Sequence, residues 1–226
     1  MKAVIDTGTM ITLSGTCLMN VFREFVKHNK IELIISSTVA EESVWKPITN
    51  KRFALNAARI KYAMNHDIVK VVPLSSDVAS LQEKIMKIAN NIFFTKDGAL
   101  RIIQAGEAEA LALAKIHGAK ALFVDERTTR ALIENPARLK QVLERRQDAE
   151  ISLNQPNLDS LRGMFPALKI FRSVDLIAMA YEQDLFDHEL NHTKLELEAA
   201  LYSAKFNGCA VSENEIQAYL NAYTVK

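Results

Sequence analysis

Five short apolar runs punctuate the chain: Lys2 to Ile5, Glu32 to Ile35, Ile68 to Val72, Ala121 to Val124 and Lys169 to Phe171. Stretches with helical spacing separate them. Each run is too short for a helix, and none alternates apolar with polar residues as a half-exposed strand would. A strand that is apolar at successive positions buries both faces, and this belongs to a parallel sheet covered by helices on either side. Right-handed crossovers then make a three-layer α/β/α sandwich around a five-stranded parallel sheet the economical topology.

Between the strands, a helix is expected from Gly15 or Thr16 through about Lys27, with Leu18, Val21, Phe22 and Phe25 on one face. Another runs from Val39 to Trp45 after the N-cap candidates Ser36, Ser37 and Thr38, and Pro47 stops it. Lys51 to Asn65 reads as helical. So does a segment capped by Ser75 or Ser76, whose core face is Val78, Leu81, Ile85, Ile88 and Ile92. Glu107 to Ile116 follows Gly106, and Gly118 stands where a helix-ending glycine belongs. Arg127 to Glu134 and Val174 to Gln183 complete the alternation. Residues 136–166 are polar, carry three prolines, and read as an insertion, partly helical around Leu139 to Arg146. Residues 1–186 form the expected domain. Residues 187–226 are a helical extension packed on it, with two amphipathic helices over Glu189 to Val225 that part near Asn207-Gly208. Ser212 and Glu215 form a capping box for the last.

A formal net charge of +1 excludes polyanion binding by bulk charge, so any nucleic-acid contact needs a local basic patch. Cys17 and Cys209 sit in apolar helical contexts and are expected as buried free thiols in a reducing compartment. No apolar stretch reaches membrane-spanning length. The N-terminus opens directly on a strand, so a cytoplasmic protein without a signal peptide is expected.

The strand ends carry the chemistry. Asp6 closes the first run, Glu41-Glu42 follow the second, Glu107 and Glu109 open an Ala/Leu helix, and Asp125-Glu126 follow the fourth run. A parallel sheet gathers such positions at one edge, and clustered carboxylates suit Mg²⁺ or Mn²⁺. Asp6-Thr7-Gly8-Thr9 spells the aspartic protease loop, but that chemistry needs a second such aspartate in an all-β scaffold. The second aspartate of haloacid dehalogenase phosphatases is Gly8 here. His188 and His192, four apart, lack the glutamate of a zinc signature.

Val4-Ile5-Asp6-Thr7, Ser36 to Glu42, Gly106 to Ala114 and Phe123-Val124-Asp125-Glu126, with Arg130, together resemble the PIN domain family, in particular a prokaryotic subgroup with a Gly-Glu-Ala-Glu-Ala helix. The similarity spans about residues 2–132 and resumes near Ser173 to Phe186. It implies an acidic pocket binding Mg²⁺ or Mn²⁺ and endoribonuclease cleavage of RNA. Many such members are toxins held by an antitoxin, and homodimers are common. By position the metal and catalytic roles fall to Asp6, Glu42, Glu107 and Asp125. Glu41 and Glu126 are the alternatives at their sites, with Glu42 preferred over Glu41. RNA contacts are expected of Thr7, Thr9, Arg127 and Arg130, with Arg138, Lys140, Arg145 and Arg146 on an insertion that could project over the site. Glu107 replaces the aspartate of many members. The insertion and the C-terminal helices exceed the compact toxin size. A catalytically inactive RNA-binding or assembly module is the alternative reading.

Overall fold

The computed structural model describes residues 1–223, the side chain of His188 excepted. In chain order β1 (Lys2–Ile5), α1 (Thr7–Gly15), α2 (Met19–His28), β2 (Glu32–Ser36) and α3 (Ser37–Ala40) open the fold. A π turn (Glu41–Trp45) and a 3-10 turn (Pro47–Thr49) lead into α4 (Ala54–Asn65), β3 (Lys70–Val72) and α5 (Ser76–Ala89). Then come β4 (Phe93–Thr95), β5 (Gly98–Ala99), α6 (Ala105–Ile116), β6 (Ala121–Phe123), α7 (Arg127–Glu134) and α8 (Pro136–Gln147). The chain continues through β7 (Ser152–Leu153), α9 (Gln155–Met164), β8 (Lys169–Phe171), α10 (Ser173–Glu182), α11 (Lys194–Phe206) and α12 (Glu213–Ala222).

Five parallel strands form the main sheet in the order β3-β2-β1-β6-β8, as the apolar runs require. Successive residues of a strand point to opposite faces. Accordingly Ala3, Ile5, Leu33, Ile35 and Phe123 enter one buried core, and Val4, Ile34, Leu122 and Ile170 enter the other. Residues of α2, α4, α10, α11 and α12 fill the first core, and those of α5, α6, α8 and α9 the second. The result is a three-layer α/β/α sandwich. The C-terminal helices supply Leu197, Leu201, Ile216 and Leu220 to the first core and so pack on the same body. The last expected helix was drawn to Val225, and residues 224–226 lie outside the described residues.

Three expectations need correction. The helix expected from Gly15 or Thr16 to Lys27 starts only at Met19, and a separate helix that was not expected, α1, precedes it. The chain turns at Cys17, which adopts a left-handed φ of 62°, and α1 begins at Thr7. Thr7, Gly8, Thr9 and Thr12 are poor helix formers. What starts α1 is the Asp6 carboxylate, which accepts from Thr9 N at 2.7 Å. The second correction is that Cys17 is exposed, while Cys209 is buried.

The third concerns residues 136–166, which are less polar in place than in sequence. Leu139, Leu143, Ile151, Leu158, Leu161 and Phe165 all enter the second core. β7 also pairs antiparallel with β4 in a small three-stranded sheet, β5-β4-β7, that the sequence reading lacked. Strands of two or three residues are too short to display a period. Among the described residues no helix is long and apolar enough to cross a membrane.

A carboxylate cleft at the strand ends

The sheet reverses its direction of growth between β1 and β6. From β1 the chain adds β2 and β3 on one side, and β6 and β8 lie on the other. Such a switch point opens a crevice beyond the carboxyl ends of the strands. Asp6 follows β1 there and Asp125 lies two residues beyond β6, with Asp6 N donating to Phe123 O at 3.0 Å. A cleft of about 650 Å³ occupies the crevice, and Asp6, Glu42, Glu107, Glu109, Asp125 and Glu126 all line it. Glu41 does not, so of the adjacent pair the fold brings Glu42 to the cleft.

Local structure fixes each carboxylate. Glu42 lies on the π turn that continues α3, where Lys46 N reaches back to Glu41 O at 3.0 Å, and it accepts the Thr7 hydroxyl at 3.2 Å. Single π turns recur at functional sites. Glu107 is the third residue of α6 and accepts Gln104 N at 2.8 Å, closing a capping box. Buried Glu109 accepts the hydroxyl of Ser36, which also caps α3 through Val39 N at 3.1 Å. Asp125 is buried and takes Ser173 N at 2.7 Å on one oxygen and the Ser173 hydroxyl at 3.1 Å on the other. Glu126 caps α7 through Thr128 N at 3.1 Å.

Burial pushes the Asp6 carboxyl up to about 6. The hydrogen bonds from Thr9 oppose that rise, and the charges of Asp125 and Glu107 add to it. The carboxylates therefore feel one another across the cleft. Six carboxylates face one cation on the lining, the exposed Arg101.

No set of three or more acidic, histidine or cysteine side chains among the described residues stands close enough to hold a metal ion as placed. The donor chemistry nonetheless suits a hard divalent cation, since carboxylate oxygens are the ligands Mg²⁺ and Mn²⁺ prefer and the cleft has negative charge to spare. Binding would require the caps at Asp6 and Glu107 to share their oxygens.

Of the residues expected to meet RNA, Thr7 lines the cleft. Thr9 is fully buried, and its hydroxyl finds no partner among the described residues, so it offers no surface to a strand. Arg127 and Arg130 stand elsewhere. Arg127 pairs with Glu215 at 3.1 Å, and Arg130 pairs with Glu134 at 2.8 Å and with Asp175 at 3.1 Å. Both line a second cleft of about 510 Å³ between α7, α8 and the C-terminal turn. Arg138 and Arg146 join them, and Glu126 borders both clefts.

Sequence reasoning missed the support behind Asp125. Arg172 is buried and donates to Ala210 O at 2.8 Å and to Glu215 at 3.0 Å. Its backbone N is taken by Asp175 at 2.7 Å, and Tyr219 donates to the other oxygen of Asp175. Ala210 N reaches Asp125 O at 3.3 Å, and Gly208, at φ 122°, lines the acidic cleft. The turn between α11 and α12 is thus one wall of the site. An arginine directly after the last strand run was the available signal, but of its side-chain partners only Asp175 is local, and Glu215 and Ala210 are far along the chain. His192 approaches Asp184 at 3.4 Å and stacks on Tyr181, while the His188 side chain lies outside the described residues.

No protein-family model, no curated protein and no solved structure matches this chain.

Proposed function

We propose that the protein is a Mg²⁺- or Mn²⁺-dependent endoribonuclease of the PIN type that hydrolyses RNA phosphodiester bonds in the acidic cleft. The observation that carries this reading is the meeting of Asp6, Glu42, Glu107 and Asp125 at the switch point, with the Asp6 carboxyl pushed up to about 6. Asp6, Glu42, Glu107 and Asp125 would hold the cation, with Glu126 the alternative to Asp125. A bound cation of this class supplies an acidified water and charge neutralisation at the scissile phosphate. The chain's own residues do the rest. Thr7 orients Glu42, and Ser173 fixes both oxygens of Asp125. Arg101 offers the cleft its cationic contact for a phosphate. Glu109, held by Ser36, adds negative field beneath the site.

Cleavage of labelled RNA with Mg²⁺ or Mn²⁺, lost on adding EDTA and lost in Asp6→Asn, is the expected result. Full activity of Asp6→Asn would refute the assignment. A cytoplasmic enzyme is the setting of this reading. Homodimerisation and inhibition by an antitoxin seated over the cleft would belong to its toxin-type form.

A second reading has one observation in its favour. Each of the six carboxylates is already engaged by a cap or a hydroxyl, so the cleft is held together without a cation. On that reading the protein is a catalytically inactive RNA-binding or assembly module. Retained RNA binding with no divalent-dependent shift in melting temperature would select it.

A further inference from the structure

From Ser43 to His66 the chain carries Lys46, Lys51, Arg52, Arg59 and Lys61 and no aspartate or glutamate, in a protein whose net charge is only +1. The same segment exposes three aromatic side chains: Trp45 at 44%, Phe53 at 46% and Tyr62 at 52%. The π turn that ends in Trp45, the 3-10 turn and α4 pack together, and Lys61 of α4 reaches the Trp45 ring. Cations lie on the rings rather than beside acids. Lys61 Nζ stands 5.2 Å from the centre of the Trp45 ring, and Arg52 Cζ stands 5.4 Å from that of Phe53. Arg59 is spent on Ser14 O at 2.8 Å. Lys46, Lys51, Arg52 and Lys61 remain without a carboxylate partner among the described residues.

We propose that this face is a docking surface for single-stranded nucleic acid, with phosphates on the four cations that no carboxylate pairs and unpaired bases stacked on the open faces of Trp45 and Phe53, the Tyr62 ring being already stacked on His66. Exposed rings set among unpaired cations are the arrangement that holds a flexible polyanion with aromatic bases. The rings accept any base, and duplex DNA or RNA offers them none. A second copy of the chain fits poorly. A two-fold interface would set this patch against itself, four free cations facing four with no acid between them. Glu42 and Trp45 lie on the same π turn, so the surface and the acidic cleft adjoin along the chain. The surface lies outside that cleft, and strand binding there stands or falls separately from cleavage.

The test uses the full chain in EDTA at low salt, where cleavage is silent. Trp45 is the one tryptophan of the sequence, so stacking is read directly as quenching of its fluorescence. Labelled oligouridylate and oligothymidylate are expected to bind, and a mixed-sequence duplex to bind far more weakly. Trp45→Ala and Phe53→Ala should each weaken binding about tenfold. Lys51→Glu with Arg52→Glu should lower the slope of log affinity against log salt by roughly 1.4. Phe206→Ala, at an aromatic residue 79% exposed on α11, should leave binding unchanged. All these positions are exposed, and circular dichroism melts check that the variants fold. Equal affinity for duplex and single strand would overturn the proposal. So would binding untouched by the aromatic and charge variants, or a wild-type dimer that Trp45→Ala dissociates. Binding without cleavage once Mg²⁺ is restored would sink the nuclease assignment alone.

Discussion

Replacing Asp6 by Asn should make the protein more stable at neutral pH while abolishing the proposed cleavage. The reasoning starts from the Asp6 carboxyl, raised from 3.8 to about 6 in the fold. A raised carboxyl means that the folded state prefers the protonated group. Between about pH 4 and pH 6 the folded chain holds a proton that the unfolded chain has released, so stability falls as pH rises through this window and is level above it. At 1.36 kcal/mol for each unit, ionising Asp6 costs the fold about 3 kcal/mol at pH 7. Asparagine caps a helix as well as aspartate does, so the bond from Thr9 N survives. Asp6→Asn should therefore gain up to about 3 kcal/mol at pH 7.5 in EDTA, or roughly 6 to 12 °C in melting temperature for a chain of this size. The gain should vanish near pH 4. Urea or thermal denaturation of both proteins at the two pH values measures it. A variant less stable than wild type at pH 7.5, or a difference that ignores pH, would refute the account of the cleft.

Mg²⁺ or Mn²⁺ should raise the melting temperature of the wild type and leave Asp6→Asn unmoved, as differential scanning fluorimetry with and without EDTA would show. Glu215 gives the opposite pH limb. Burial pushes its carboxyl up, but hydrogen bonds from Ser212 and the charges of Arg172 and Arg127 outweigh this and hold it near 2. Its contribution is present above about pH 4.5 and fades as pH falls towards 2, so Glu215→Gln should flatten the acid limb of a urea-midpoint profile. Ser173→Ala should cost about 1–3 kcal/mol in urea denaturation, because one oxygen of buried Asp125 loses its donor. Ellman's reagent should react with Cys17 alone in the native protein. Cys209, whose thiol burial and then the Asp125 charge push up to about 12, should react only after unfolding.

The main sheet was legible because its strands are buried on both faces, and continuous apolar runs such as Ala3-Val4-Ile5 and Leu33-Ile34-Ile35, alternating with helical stretches, suit a covered parallel sheet. The acids were legible for the same reason: once the strand ends are known, the residues after them share an edge. What escaped was set by tertiary contacts. α1 is made of residues with weak helical preference and exists through its cap and its packing. The small antiparallel sheet has strands too short to show alternation. Residues 136–166 read as polar because their buried leucines are spaced among arginines and glutamines that point outward. Arg172 was silent because, beyond the neighbouring Asp175, its partners Glu215 and Ala210 meet it only after the C-terminal helices fold back.

The two readings of the cleft part over why acids occupy these positions at all. Asp6, Glu107 and Glu126 each cap a helix, and Glu42, Glu109 and Asp125 each accept a hydroxyl. Those tasks alone do not demand a carboxylate, since asparagine or serine caps a helix comparably and brings no charge. Spread over the surface, six acids so engaged would be unremarked. Gathered around one crevice with a single exposed arginine, Asp125 and Glu107 add to the ionisation cost that burial already imposes on Asp6, a cost that the fold does not need. Residues that cost stability where neutral ones would serve are characteristic of sites kept for binding, not for folding. A dication is the ligand whose charge relieves that cost, and the same acids would then be both the caps that shape the cleft and the groups that fill it.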